Sequence, residues 1–328
     1  MSGHELRWNP LLDCWIIVAG HRKGRPWHST FCPFCPGGSE TQGEWRVLAL
    51  PNRYPALSLN PPKVDEGCEP FIKSEALGVC EVVVETPVHE GDFQDIPLEQ
   101  VSEYILLLGE RTRDIASNPA IEYVMPFKNK GVLIGVSLTH PHSQIYAFTF
   151  IPPRIVREIE SVIRYRRDYG RNLFEDIVEA EIRESKRIVY VNDEFILLLP
   201  FYAMWPYEMH IYPLRDVKLL YELDRYSALL LADTIRVATG VYEELFGSEY
   251  AYMMIFHQAP IKQVNKDYRL HVEFYTPHLS RDRLKYAAGV EWGAWVFTYD
   301  GVPEDRVGEL REAARRIAGR LGSLGRIP

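Results

Sequence analysis

Short runs of apolar and aromatic residues bounded by turn formers recur through the first 150 positions, and the pattern predicts strands over 15–19, 45–50, 82–85, 123–127 and 144–151. That portion of the chain reads as mostly β. Beyond Pro152-Pro153 the period changes: apolar residues fall at helical spacing among many charges from Arg154 to about Ser185, which predicts one or two amphipathic helices. Strands are expected again over 188–191 and 195–199, followed by a Tyr-Pro turn, a helix over 219–245, and strands over 251–257 and 269–275. Residues 303–321 read as a surface helix.

The second half thus repeats the order of the first. PNRYPAL at 51–57 lines up with PFYAMWPYE at 200–208, VETPVHEGDF at 84–93 with IYPLRDV at 211–217, and HPHSQIYAF at 140–148 with RLHVEFY at 269–275. The repetition points to two copies of one α+β unit, joined after an old duplication. Pro61, Pro62 and the acidic stretch 65–69 suggest a surface loop within the first copy.

Composition narrows the class. A chain of 328 residues, 46% hydrophobic and 25% charged, can bury a sizeable core and suits a soluble globular enzyme of about two domains. A formal net charge of -8 argues against a nucleic-acid binder that works by neutralising phosphates. No apolar run approaches the roughly 20 residues needed to cross a bilayer. The start MSGHELRWNP is too polar for a signal-peptide core, so a cytoplasmic protein without a membrane partner is expected. The five cysteines, at 14, 32, 35, 68 and 80, are odd in number and speak against a disulfide framework, and Cys32 and Cys35 form the close pair. The 19 tyrosines and 7 tryptophans suit a sheet-rich protein.

The densest chemistry lies in His140-Pro141-His142-Ser143-Gln144. On a strand, His140, His142 and Gln144 would project from one face and could share a ligand. A neutral imidazole titrating near pH 6.5 is a good nucleophile at phosphorus without a deprotonating base, and the phosphoramidate it forms is itself a good leaving group. Gln144 can donate amide hydrogens to a non-bridging phosphate oxygen during transfer.

With this motif the chain resembles the histidine-triad superfamily, in the branch where glutamine replaces the third histidine: the galactose-1-phosphate uridylyltransferase family. Similar family blocks follow in order as WNPLLDCWIIVAGHRKGRPW at 8–27, the Cys32-Cys35 pair, NRYPAL, FKNKGVLIGVSLTHPHSQ at 127–144, FYAMWPYE, FHQAP at 256–260 and LKYAAGVE at 284–291. The resemblance implies two tandem histidine-triad-like domains, each an antiparallel half-barrel sheet with helices packed on it, over 1–185 and 186–328. It makes His142 the nucleophile, with Gln144 beside it.

The two-residue separation of Cys32 and Cys35 lets both thiolates reach one tetrahedral ion, though alone it also suits reduced thiols without metal. The resemblance supplies His89 and His140 as the remaining ligands of a structural zinc. It also implies a second metal, zinc or iron, at Glu158, His257, His271 and Glu273. The family's usual residue at the last position is histidine, so a hydrogen-bonded cluster without metal is the alternative.

The resemblance further places Asn52, Asn129, Gly135 and Ser137 around the nucleotide and its phosphates. Lys285, Gly289 and Glu291 fall on the segment that contacts the hexose. Arg22 and Arg25 match arginines that reach phosphate across a homodimer interface with shared active sites. Three positions depart from the family: Val290 for a tyrosine, Phe297 for a glutamine, and Arg53 for an aspartate.

Nucleotide-sugar and sugar-1-phosphate substrates follow, with UMP exchanged between UDP-glucose and galactose 1-phosphate in ping-pong order. The three departures favour an adenylyl-transferring relative instead, an ADP-sugar or dinucleotide phosphorylase. A zinc-stabilised nucleotide-binding scaffold without activity is opposed by the intact His142 and Gln144.

Overall fold

A computed structural model describes residues 3–24 and 31–328. The first half supplies β1 (His4–Asn9), β2 (Cys14–Ala19), β3 (Leu48–Pro51), β4 (Gly67–Cys68), β5 (Phe71–Glu75), β6 (Gly78–Val84), α1 (Leu98–Ala116), β7 (Tyr123–Lys130) and β8 (His142–Phe148). Two linking helices follow, α2 (Pro153–Tyr169) and α3 (Leu173–Glu184). The rest comprises β9 (Ile188–Val191), β10 (Phe195–Leu198), β11 (Met209–Pro213), α4 (Arg225–Phe246), β12 (Tyr252–His257), β13 (His271–Tyr275), β14 (His278–Ser280), β15 (Arg283–Leu284), α5 (Gly289–Ala294) and α6 (Pro303–Leu321).

One nine-stranded sheet, ordered β3-β6-β8-β7-β12-β13-β11-β10-β9, forms the spine of the molecule. Its seam is the antiparallel pair β7 and β12, with Asn129 opposite Met253 and Phe127 opposite Ile255. Outward from that seam each side repeats the other: β7-β8-β6-β3 against β12-β13-β11-β10. The connections repeat too, since α1 joins β6 to β7 as α4 joins β11 to β12. The aligned segments of the sequence therefore occupy equivalent places, β8 matching β13.

Several boundaries differ from expectation. The first half is mostly β but also holds one helix that the pattern did not predict, α1, which carries Leu98, Val101, Ile105, Leu108 and Ile115 on one helical stripe. β8 begins at His142 and ends at Phe148, earlier at both ends than the apolar run suggested. The terminal helix α6 is only half a surface helix, since Val307, Leu310, Ala313, Ala314 and Ile317 are buried. The strands β1, β5 and β11 were not expected from the pattern.

Capping fixes the linking and crossover helices. The Asn172 side chain accepts from the amides of Phe174 and Glu175 to start α3, and Asp224 accepts from the Ser227 amide to start α4. The main core lies on the face of the sheet under α1 and α4, where Tyr104, Ile105, Leu108, Leu231, Ile235 and Val241 meet Val124, Ile145, Met254 and Phe274. α4 is buried on nearly every side because α1 and α6 flank it.

The opposite face is covered at its two ends. The small sheet β2-β1-β5-β4 packs Leu6 with Leu57, Ala76, Tyr123 and Phe148 over the far end of β8. α2 and α3 lay Val162 and Phe174 against Ile196, Leu198 and Tyr212 of the second unit. Between these covers the start of β8, with His142 and Gln144, stays half-exposed. Among the described residues, no helix is long and apolar enough to cross a membrane.

Candidate active site

Strand alternation sorts the side chains of β8. His142, Gln144 and Tyr146 point to the half-open face, while Ser143, Ile145 and Ala147 are fully buried toward α1. His140 does not share that strand face as expected. It precedes β8, is 1% exposed, and turns its ring toward the cysteines instead. The three polar groups of the motif therefore divide into two tasks.

The first task is a metal-ligand cluster. Cys32 Sγ lies 3.5 Å from His140 Nδ1, and Cys35 Sγ lies 3.2 Å from His89 Nδ1 and 3.7 Å from His140 Nδ1. A tetrahedral ion with bonds of about 2.0–2.3 Å separates its donors by roughly 3.3–3.8 Å, which these spacings match. His140 Nε2 donates to the Thr86 carbonyl at 2.8 Å, so the lone pair at Nδ1 faces the sulfurs. Burial lowers the His140 pKa, which keeps the ring in its neutral, ligating form. Burial and the neighbouring Cys32 raise the Cys35 pKa, so two adjacent thiolates call for a cation. These residues fit a structural zinc.

The second falls to the imidazole expected to be the nucleophile. His142 Nδ1 lies 2.8 Å from the His140 carbonyl oxygen. A carbonyl only accepts, so Nδ1 carries the hydrogen and Nε2 the lone pair. Phe34, between the two cysteines, holds its ring 5.5 Å from that of His142. Among the described residues the Gln144 amide has no hydrogen-bond partner in the chain, which leaves its donors for a ligand. A cavity of about 440 Å³ opens at His142, walled by Asn129, the turn around Gly131 and Leu133, and Glu249 from the second unit.

The expected binding residues are distributed unevenly. Asn129 lines the cavity. Gly135 closes the turn Val132–Ile134 at φ 80, a left-handed conformation, with open space where a Cβ would sit. Ser137 follows in the same loop. Asn52 leaves β3, bonds its own amide to the Cys80 carbonyl, and uses Oδ1 to accept from the Tyr54 amide.

Arg22 donates to the Tyr146 hydroxyl of its own chain at 3.4 Å, on the same strand face as His142. Arg25 lies outside the described residues. Lys285, Gly289 and Glu291 do not line the cavity. Lys285 bonds Asp300 at 3.0 Å, and Glu291 accepts from the Ala288 amide and the Thr298 hydroxyl, which hold its carboxyl down at about 2. Their segment joins the cavity wall where the Tyr286 hydroxyl meets the Leu133 carbonyl at 3.3 Å.

Glu158, His257, His271 and Glu273 form the second cluster, with one ligand atom of each within 4.8 Å of all the others. The Arg269 carbonyl takes His271 Nδ1 at 3.0 Å, so Nε2 faces inward. The N2O2 donor set fits a metal, yet Arg154 already bonds Glu273 at 2.7 Å and Glu158 at 3.2 Å. β13 matches β8, so His271 and Glu273 stand where His142 and Gln144 stand in the first unit.

Sequence reasoning missed Gly131, where an added Cβ would meet the Ala251 Cβ at 2.6 Å, and the Thr86 carbonyl, which no residue type announces. A strand-borne imidazole set in one tautomer, beside free amide donors and a zinc-type cluster, on a duplicated half-barrel, defines a nucleotidyltransferase of the histidine-triad class. Family models for the N-terminal and C-terminal domains of galactose-1-phosphate uridyl transferase match residues 2–152 and 158–291. The chain belongs to the galactose-1-phosphate uridylyltransferase family.

It is 41% identical over 318 residues to the galactose-1-phosphate uridylyltransferase of Thermotoga maritima, covering 95% of this chain and 99% of that protein. The Haemophilus influenzae enzyme of the same name is 31% identical, covering 87% of each. A solved uridylyltransferase structure superposes with a TM-score of 0.89 at 38% identity, over 95% of this chain and 99% of that one. An ADP-glucose phosphorylase from Arabidopsis thaliana, with a TM-score of 0.73 and 24% identity over 94% of this chain and 98% of that one, shares the fold.

Proposed function

We propose that this chain exchanges UMP between UDP-glucose and galactose 1-phosphate, carrying the uridylyl group on His142. The observation that carries the reading is the 2.8 Å contact of His142 Nδ1 with the His140 carbonyl, which leaves Nε2 as the attacking atom at the cavity. Nε2 attacks the α-phosphorus, the bond from that phosphorus to the bridging oxygen breaks, and glucose 1-phosphate leaves. A phosphate oxygen of galactose 1-phosphate then attacks the same phosphorus, the nitrogen–phosphorus bond breaks, and UDP-galactose leaves with the ring restored.

Attack gives the ring a positive charge, and the Nδ1 hydrogen bond to the His140 carbonyl stabilises it. Gln144 donates to the non-bridging oxygens as their charge grows. Asn52, Asn129, Gly135 and Ser137 surround the nucleotide and its phosphates, and Arg22 approaches from the Tyr146 side. Lys285, Gly289 and Glu291 serve the hexose, a role supported by the Tyr286 link to the cavity wall.

Cys32, Cys35, His89 and His140 hold a zinc that ties the loops framing β8. The second cluster, with Glu273, takes zinc or iron against the competing charge of Arg154. We read the enzyme as a cytoplasmic homodimer with Arg25 crossing to the neighbouring subunit. The row of exposed apolar side chains at Tyr286, Trp292, Trp295 and Val296, with Trp292 75% and Trp295 61% exposed, supports a subunit contact.

The test is donor chemistry without acceptor. Protein mixed with UDP-glucose should release glucose 1-phosphate in an amount equal to the active sites and retain UMP as an alkali-stable phosphohistidine. Release from ADP-glucose but not UDP-glucose would transfer the assignment to the adenylyl branch, which the exposed Val290 and Phe297 favour.

A further inference from the structure

Beneath β8 three ionisable side chains have no task in the mechanism above. Lys128, Glu85 and Asp92 are each 2% exposed or less. Lys128 lies in β7 between Phe127 and Asn129, so its side chain turns inward while theirs turn to the half-open face of the sheet, although Lys128 also contributes to the lining of the cavity. Its ammonium donates to Glu85 Oε2, and to Asp92 Oδ1 at 2.7 Å. Asp92 is held in turn by the hydroxyls of Tyr250 and Tyr252 from the second unit, at 2.8 and 2.9 Å.

Glu85 is the member that reaches the nucleophile segment, and it grips that segment on both sides of His142. Its amide donates to the Pro141 carbonyl at 3.2 Å, and its carboxylate accepts from Ser143 Oγ at 2.5 Å. The Tyr104 hydroxyl meets the same Oγ at 2.8 Å. The next carbonyl along, Thr86, takes the His140 ring. Stability alone is a poor reason to bury such a triplet, because desolvating three charges offsets most of their attraction and apolar residues of similar volume often do as well. What the triplet does supply is one geometry, fixed by charge-assisted bonds that tolerate little displacement.

We propose that Lys128 is a positioning residue for uridylyl transfer: through Glu85 and Ser143 it fixes the backbone on either side of His142, and so the approach of the ring to phosphorus. The role rests on the reading of His142 as the nucleophile. It requires that loosening the network slow the chemical step while leaving donor binding nearly unchanged, since a misplacement of about 1 Å can cost ~100-fold in rate.

Rapid-quench measurement of label transfer from radiolabelled UDP-glucose to the full-length protein tests it. Lys128→Met and Ser143→Ala should each slow first-order transfer at saturating donor by roughly 10- to 100-fold, with the dissociation constant for UDP-glucose within about threefold of wild type. A double variant should be no slower than Lys128→Met alone, because both changes cut one chain of contacts. Wild-type rates in folded single variants, losses that multiply in the double variant, or a loss confined to donor binding would overturn the proposal. Should Lys128→Met fail to fold, Ser143→Ala decides alone, and a wild-type transfer rate there sinks it. A wild-type protein that takes no label at all overturns the covalent reading itself, and the positioning role falls with it.

Discussion

His142 can act as a nucleophile only while its ring presents one nitrogen to phosphorus, and here a backbone carbonyl two residues back sets that choice. Replacing the ring should therefore remove transfer without disturbing the strand, whose register is held by β6 and β7 on either side. We expect His142→Asn to show no turnover and an unchanged circular dichroism spectrum, and His142→Gly to regain transfer when free imidazole fills the vacated space. Turnover by His142→Asn would refute the assignment. The motif was legible in the sequence because imidazole and amide have few reasons to alternate within five residues. The separation of His140 from His142 was not legible from alternation, since β8 begins only at His142 and the turn before it swings His140 toward sulfur. Lys128 and Glu85 gave no signal either: a lone Lys in a strand reads as a solvated edge until the fold turns it inward.

At the scale of elements, much follows from what ties loops to strands. Cys32 and Cys35 sit on a loop with few buried apolar groups, Phe34 chief among them, so a bound ion would hold it more than packing does. Changing Cys32 to Ser, or stripping metal, should cost on the order of 4 kcal/mol. That corresponds to a fall of roughly 8–16 °C in melting temperature for a domain of this size. An unchanged melting temperature would show that the pair holds no ion. A second tie joins α2 to the loop before β13, where Arg166 grips both oxygens of Asp267. The Arg166 hydrogen bonds hold the Asp267 pKa below its ordinary value. Its contribution is then fully present above the unfolded carboxyl pKa near 3.9 and is lost as pH falls through the lower folded value. Asp267→Asn should lower the urea midpoint at pH 7 by an amount worth about 1 kcal/mol, and the two proteins should converge as the pH falls below the ordinary carboxyl range. A gap that persists in acid would assign the effect to packing. Most elements were readable from apolar period, yet α1 was missed, although the repeat with α4 demanded a helix between β6 and β7. Short strands of the first half dominated the pattern there.

The whole molecule is organised around the seam of β7 and β12, which places His142 of one unit and the second cluster of the other on one sheet face. The family models divide the chain between 152 and 158, while the sequence repeat puts the boundary at 185; α2 and α3, which lie between, pack on second-unit strands and lend Glu158 to its cluster. Duplication leaves open whether one chain completes its own site. Arg22 bonds Tyr146 of the same chain, so it should serve its own His142, whereas Arg25 is the arginine proposed to cross to a neighbour. Mixed subunits separate the two. An Arg25→Ala homodimer, strongly slowed, and a His142→Asn homodimer, without turnover, are dissociated together and reassociated. The hybrid has one site with both groups if Arg25 acts across the interface, and activity should return. The same mixing with Arg22→Ala in place of Arg25→Ala should return none, because the subunit that keeps His142 is the one that lacks Arg22. A mass tag on one subunit verifies that hybrids form. Tagged hybrids that stay inactive with Arg25→Ala would rule out the shared site, and hybrids that recover with Arg22→Ala would move Arg22 to the partner's cavity. Loss of one arginine bond to phosphate should raise the barrier by about 1.5–3 kcal/mol, so recovery from the low parent rates is large enough to read against the background of unmixed dimers.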